Sequence, residues 1–174
     1  MLCPVDVSAA AAWVSAISLA DWPLQDRVNP NSRHPSMVAG YREDWPSVEQ
    51  SLAKMAQPLI DEVMEHLPEG RIGHRMLSLL VPGQRIVPHD DLQTADWRAR
   101  VHIPLVTNPG VEFVYQDAPD AAVRMPAGFA YLFNPEVEHR VRNGGETPRV
   151  HFFFDVFESP HVAAAALHIP AEAA

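Results

Sequence analysis

The residues most able to do chemistry lie between positions 88 and 149. Pro88-His89-Asp90-Asp91 follows a Pro82-Gly83 turn and the apolar pair Ile86 and Val87. Residues i and i+2 of an extended segment share a face. His89 and Asp91 could therefore grip one cation together, with Asp90 facing away. Such a pair is two thirds of the two-histidine, one-carboxylate set that leaves positions open on Fe(II) for substrate and oxygen. A lone His-x-Asp pair also reads as a solvated turn, so the metal reading needs a second histidine on a neighbouring strand. His139, in Glu138-His139-Arg140-Val141-Arg142, is the best placed. It precedes Asn143-Gly144-Gly145, which suits a hairpin because Asn and Gly accept positive φ. A hairpin centred on Gly144 puts His139 opposite Arg149, on the same face of the sheet. An arginine on an inner sheet face is costly without a partner. The partner is either an internal carboxylate, Asp155 or Glu138, or the far carboxylate of a bound dicarboxylate whose other end chelates the metal. The planar guanidinium fork suits the second role.

Two helices and a run of strands must position these groups. Residues 8–20 read as a helix that Ser8 can cap, and residues 46–67 as a second. There Ser47 and Gln50 resemble a capping box, and Pro58 should kink or split the helix. Residues 21–45 form a long polar loop, including Arg27, Asn31, Arg33 and Tyr41, that could cover the site. From residue 71 the period changes. Short β-rich runs follow at Arg75–Val81, Val101–Val106, Val111–Tyr115, Ala130–Phe133, Val137–Arg142 and Val150–Phe157. Many short strands broken by Pro and Gly predict a mainly β sandwich or barrel, buttressed by the two helices. The expectation is one domain over 1–174, with a helical and loop part (1–70), a β core (71–158) and a short tail (159–174).

Composition narrows the chemistry. The chain has 174 residues, 47% of them apolar and 20% charged, which excludes global disorder. Cys3 is the only cysteine, so a disulfide framework and Cys-rich zinc sites are excluded and any metal falls to His and carboxylate. A net charge of −9 argues against nonspecific nucleic-acid binding. Lys54 is the only lysine, and coding bias is the simplest reading of the arginine excess. Ser8 to Ala20 lacks the basic flank of a secretory signal and the length of a bilayer span. A cytoplasmic protein with no membrane or nucleic-acid partner is the expectation.

Four stretches together resemble the aspartyl/asparaginyl β-hydroxylase-like branch of the 2-oxoglutarate/Fe(II)-dependent oxygenases, over Ser78 to Pro160. Ser78-Leu79-Leu80-Val81-Pro82-Gly83 with Val87-Pro88-His89 resembles the run ahead of that family's first metal histidine. Arg100-Val101-His102-Ile103-Pro104-Leu105 is similar to its Arg-x-His strand. Glu138-His139 with Arg149 resembles the second metal histidine and its arginine, and Phe153-Phe154-Asp155-Val156 the closing strand. The resemblance implies a double-stranded β-helix (a cupin-like jelly-roll). It implies iron on His89 and His139, 2-oxoglutarate held at its far carboxylate by Arg149 and Ser78, and Arg100 with His102 near its metal end. Arg98 is the alternative to Arg100. Vertebrate-type aspartyl β-hydroxylases have glycine where Asp91 stands, so this chain is similar to members with a full triad, which include free-amino-acid hydroxylases.

The implied activity is oxidation of an unactivated C–H bond with Fe(II), 2-oxoglutarate and O2, with hydroxylation ahead of desaturation. The substrate is an amino acid, a peptide residue or a small metabolite. The competing readings are a cupin-like metalloenzyme without 2-oxoglutarate and a non-catalytic jelly-roll binding module. Among the remaining residues, His151 alternates with Arg149, Phe153 and Asp155 on one strand face and reads first as a hydrogen-bonded core histidine. Trp97, Tyr115 and Phe133 read as core rather than substrate wall. His34, His66, His74, His161 and His168 lack partners at ligand spacing and read as solvated.

Overall fold

The computed structural model describes residues 1–18, 22, 37–40, 46–67, 70–90 and 98–157. In chain order the elements are β1 (Cys3–Pro4), α1 (Ser8–Ala16), β2 (Met37–Gly40), α2 (Pro46–Met64), β3 (Arg71–Leu80), β4 (Arg85–His89) and β5 (Arg98–Val106). They continue with β6 (Val111–Tyr115), β7 (Ala122–Val123), β8 (Phe129–Phe133), β9 (His139–Asn143) and β10 (Arg149–Phe157). A six-stranded sheet has the order β1-β8-β5-β10-β3-β2, and a four-stranded sheet the order β4-β9-β6-β7. All pairings are antiparallel. The fold is mainly β, as the strand pattern predicts, and of jelly-roll type, as the family resemblance implies.

Alternation along β10 explains how the larger sheet is clothed on both faces. Val150, Phe152, Phe154 and Val156 join Leu77 and Leu79 of β3 and Ala99, Val101, Ile103 and Leu105 of β5 in one buried cluster. Ala10 and Val14 of α1 and Ala56, Leu59, Ile60 and Val63 of α2 complete it. The helices thus cover one face of this sheet. The opposite face carries Arg149, His151, Phe153 and Asp155, also buried, and looks toward the smaller sheet. Between the sheets lies a second cluster: Leu80, Phe113, Tyr115, Met125, Tyr131, Phe133 and Val141. One strand therefore presents an oily face to the helices and a polar face to the space between the sheets.

The helices depart from expectation at their ends. Val7, not Ser8, is the N-cap of α1 and makes no side-chain cap bond, while Asp6 Oδ1 accepts the Ser8 amide of the first turn at 2.9 Å. Helix α1 ends at Ala16, short of residue 20. Pro58 does not split α2, which runs from Pro46 to Met64. Tertiary packing of Ala56, Leu59, Ile60 and Val63 on the sheet carries the helix across it. Within the span expected as a loop, Met37–Gly40 instead pairs along β3 as an edge strand. The rest of 21–45, apart from a buried Trp22, and the tail 159–174 lie outside the described residues.

The largest correction concerns Asn143-Gly144-Gly145. It is not the turn of a β9–β10 hairpin, because β9 pairs with β4 and β6 in the smaller sheet while β10 lies in the larger one. His139 sits opposite His89 and Tyr115, and Arg149 opposite Leu80. The glycines serve close approach rather than positive φ, which among described glycines occurs at Gly83 and Gly128. Gly144 donates to Gly110 O at 2.8 Å, and a side chain on Gly145 would collide with Asn108. Asn143, fully buried, donates to Leu80 O and Thr147 O, both at 2.9 Å. These bonds tie the crossing segment to both sheets.

Candidate active site

His89 and His139 come together across β4 and β9, with ring centroids 4.4 Å apart and planes inclined by 50°. A bulge makes this possible. Ile86 lies opposite Val141 and His89 opposite His139, so β4 advances three residues where β9 advances two. Strict alternation from the inward-facing Ile86 would put Pro88 inside and His89 outside. The extra residue reverses that, and Pro88, which has no N–H for the ladder, falls in the bulged stretch.

The two rings are held alike. His89 Nδ1 lies 2.8 Å from Val87 O, and His139 Nδ1 lies 2.9 Å from Val137 O. A carbonyl can only accept, so each Nδ1 carries a proton, and in the neutral form of either ring the lone pair lies on Nε2. That is the outer support a metal-bound imidazole requires. His139 is further fixed by Phe113, stacked at 5.1 Å, and Phe133, edge-on at 5.3 Å. Asp91 and Trp97 lie outside the described residues, and among the described residues no three metal-ligating side chains converge.

Arg149 is deep in the larger sheet, with 1% of its surface exposed. Its Nη1 donates to Ser78 Oγ at 2.9 Å, and its Nη2 lies 2.8 Å from His151 Nδ1. Among the described residues it meets no carboxylate, and its Nε has no hydrogen-bond partner. Asp155, one of the two internal carboxylates weighed as its alternative partner, pairs instead with Arg100, whose Nε and Nη2 reach the two carboxylate oxygens at 2.7 and 3.3 Å. Asp155 lies directly opposite Arg100, six residues along β10 from Arg149. Arg100 also lies over Phe153, 4.8 Å from the ring centroid. His102 stacks on the same ring at 5.1 Å and meets Phe133 edge-on at 4.5 Å. Arg98 begins β5, two residues before Arg100. The structure thus brings His89 to His139, Arg149 to Ser78 and Arg100 to Asp155, with His102 and His151 between them.

Burial, with Arg149, Arg100 and His139 adding to it, holds His102 well below the usual imidazole range. Burial, then Arg149 and His102, does the same to His151. Both rings are neutral in the fold, whereas free imidazole protonates near about pH 6.5. Below that pH the unfolded chain takes up two protons that the folded chain refuses, so stability falls as pH falls. The expected contribution reaches about 2.7 kcal/mol per pH unit for the two rings. Urea unfolding at steps from pH 7.5 to 5 checks it. His102→Phe should remove about half of that slope, and a flat profile would mean that both rings are already charged in the fold.

The sequence profile of the family described as aspartyl/asparaginyl beta-hydroxylase matches residues 36–159. The chain belongs to this family. No curated protein matches it. As an aspartyl/asparaginyl β-hydroxylase family member it is similar in fold to several solved proteins. One is the non-heme alpha-ketoglutarate-dependent epimerase SnoN from nogalamycin biosynthesis, with TM-score 0.62, 15% identity and coverage of 99% of this chain and 85% of that one. Another is a 2OG-Fe(II) oxygenase family oxidoreductase from Burkholderia pseudomallei, with TM-score 0.59, 17% identity and coverage of 86% and 79%. A third is AviO1 from Streptomyces viridochromogenes Tue57, with TM-score 0.56, 15% identity and coverage of 90% and 87%. At these identities the likeness is one of fold. Family and fold together give this chain a 2-oxoglutarate/Fe(II) oxygenase-like fold. Among the described residues no helix is long and apolar enough to cross a membrane.

Within this family frame, sequence reasoning missed two features. The first is the bulge at Pro88; a proline inside an apolar, strand-like run was the available signal. The second is Asp155 as partner of Arg100. Alternation already placed Asp155 inward, but nothing local to β10 says which residue of β5 lies opposite.

Proposed function

We propose that this protein is an Fe(II)- and 2-oxoglutarate-dependent oxygenase that hydroxylates an unactivated C–H bond of an amino acid, a peptide residue or a small metabolite, with the chain acting as one domain. The observation that carries the reading is the facing pair His89 and His139, each ring set by its own backbone carbonyl to offer Nε2. The residues fit the group. Imidazole suits iron, and a buried guanidinium that meets no carboxylate among the described residues suits a dicarboxylate co-substrate. His89, Asp91 and His139 would hold the metal. Arg149 and Ser78 would hold the far carboxylate of 2-oxoglutarate, and Arg100 and His102 would lie toward its other end. When bound, Fe(II), 2-oxoglutarate and O2 supply the oxidising power to break a C–H bond, with succinate and CO2 as co-products.

The chain's own part is orientation and exclusion of water. The Val87 and Val137 carbonyls hold the two imidazoles at fixed rotations. Phe113, Phe133 and Phe153 wall the space beside His139 and His102 with apolar surface. Asp155 keeps Arg100 pinned, so a second cation stands near His102 without swinging into the metal position. A cupin-like site without 2-oxoglutarate gives no reason to bury Arg149 at this cost. The test is anaerobic addition of Fe(II) and then 2-oxoglutarate. A weak visible charge-transfer band is expected, followed by slow succinate release in air and faster release when an amino-acid or metabolite pool contains the substrate. No band and no succinate would refute the reading.

A further inference from the structure

We propose that His151 is a second recognition group for the carboxylate that Arg149 receives, locking the guanidinium through Nδ1 and donating to the carboxylate through its Nε2–H. The inference rests on the reading of Arg149 as the co-substrate anchor and deepens it. Arg149 and His151 are two residues apart on β10 and point to the same side of the sheet. A guanidinium can only donate, so His151 Nδ1, 2.8 Å from Arg149 Nη2, is the acceptor and carries no proton. The neutral ring therefore keeps its hydrogen on Nε2. This is the reverse of His89 and His139, whose Nδ1 atoms face carbonyls. The two tautomers suit opposite ligands, a lone pair for a cation and an N–H for an anion.

The surroundings point the same way. Ser78 lies directly opposite His151 across β3 and β10 and takes Arg149 Nη1, so the guanidinium is gripped at both terminal nitrogens. Arg149 Nε and His151 Nε2 are both buried without a hydrogen-bond partner among the described residues. Two unmet donors within one hydrogen-bonded pair are expensive to keep dry. A carboxylate, with two oxygens and several lone pairs, can satisfy both. The far end of a 2-oxo dicarboxylate would then be read by arginine, serine and histidine together.

The test uses the full chain loaded anaerobically with Fe(II), titrated by calorimetry with 2-oxoglutarate and with 2-oxopentanoate, which has the same carbon chain but lacks the far carboxylate. The wild type should prefer 2-oxoglutarate by at least about 100-fold. His151→Phe should reduce that preference to about 10-fold or less, with 2-oxopentanoate affinity within about twofold of wild type. His151→Asn, which can keep an acceptor for Arg149 but has no donor at the Nε2 position, should fall between, and it carries the test if the Phe variant does not fold. Thermal stabilisation of the metal-free protein by 2-oxoglutarate should shrink in the same order. An unchanged preference in both variants, or an equal loss for both oxo acids, would overturn the role of His151. Failure of the wild type to bind 2-oxoglutarate would instead overturn the oxygenase reading beneath it.

Discussion

Replacing His139 by alanine is expected to lower Fe(II) affinity by more than about 100-fold, because even a lost outer-shell partner costs 10–100-fold and this change deletes a proposed ligand. The ring is 4% exposed and packed on Phe113 and Phe133, so truncation also leaves a small void costing about 1–3 kcal/mol. His139→Gln fills more of that space without an imidazole, and it separates the loss of metal from the loss of packing. Both variants should fold by circular dichroism and neither should develop the charge-transfer band. His89→Ala should behave the same way. Tight Fe(II) binding retained in His139→Gln would mean that the facing histidines are packing residues and that the metal, if any, sits elsewhere.

The second large effect is a split between stability and ligand binding at Arg149. Burial pulls its guanidinium down to about 9. Above that value the folded chain gives up a proton that the unfolded chain keeps, so this site's contribution to stability rises with pH there. Below about pH 9, in the working range, the full cost of burying the charge is present. Arg149→Met removes that cost but leaves Ser78 Oγ and His151 Nδ1 without their donor, about 1–3 kcal/mol in the other direction. Net stability at pH 7.5 should therefore stay within about 2 kcal/mol of wild type, short of the 3–5 kcal/mol lost when one member of a buried ion pair is removed. Affinity for 2-oxoglutarate should drop by about 100-fold or more, since two charge-assisted hydrogen bonds at 1.5–3 kcal/mol each disappear. Urea unfolding and anaerobic calorimetry on one preparation check both halves. A strongly destabilised Arg149→Met with undiminished co-substrate affinity would make the arginine a structural residue.

Much of this architecture is written locally. β10 alternates polar and apolar side chains, and that period alone assigns Arg149, His151, Phe153 and Asp155 to one face and the apolar set to the other. The lone cysteine leaves a metal only His and carboxylate. Residue type and placement mark His89, His139 and Arg149 in the sequence, and the family resemblance adds Ser78. The pairings were not legible. The hairpin between β9 and β10 was a local inference from Asn143-Gly144-Gly145, and it failed because Gly110, Asn108, Leu80 and Thr147 hold that segment between two sheets. Arg100 rather than Arg149 holds Asp155 because strand register sets them opposite each other.

The period of a strand follows from its own backbone, so the sequence by itself determined which residues face inward and which chemical types were available there. Which inward residue meets which depends on contacts between strands far apart in the chain and on one extra residue in the Pro88 bulge. Sheet partner, register and ring tautomer are nonlocal properties. Only the tertiary structure decided that His89 would meet His139, that their Nδ1 atoms would face carbonyls, and that Arg149 would meet Ser78 and His151, and no carboxylate, among the described residues.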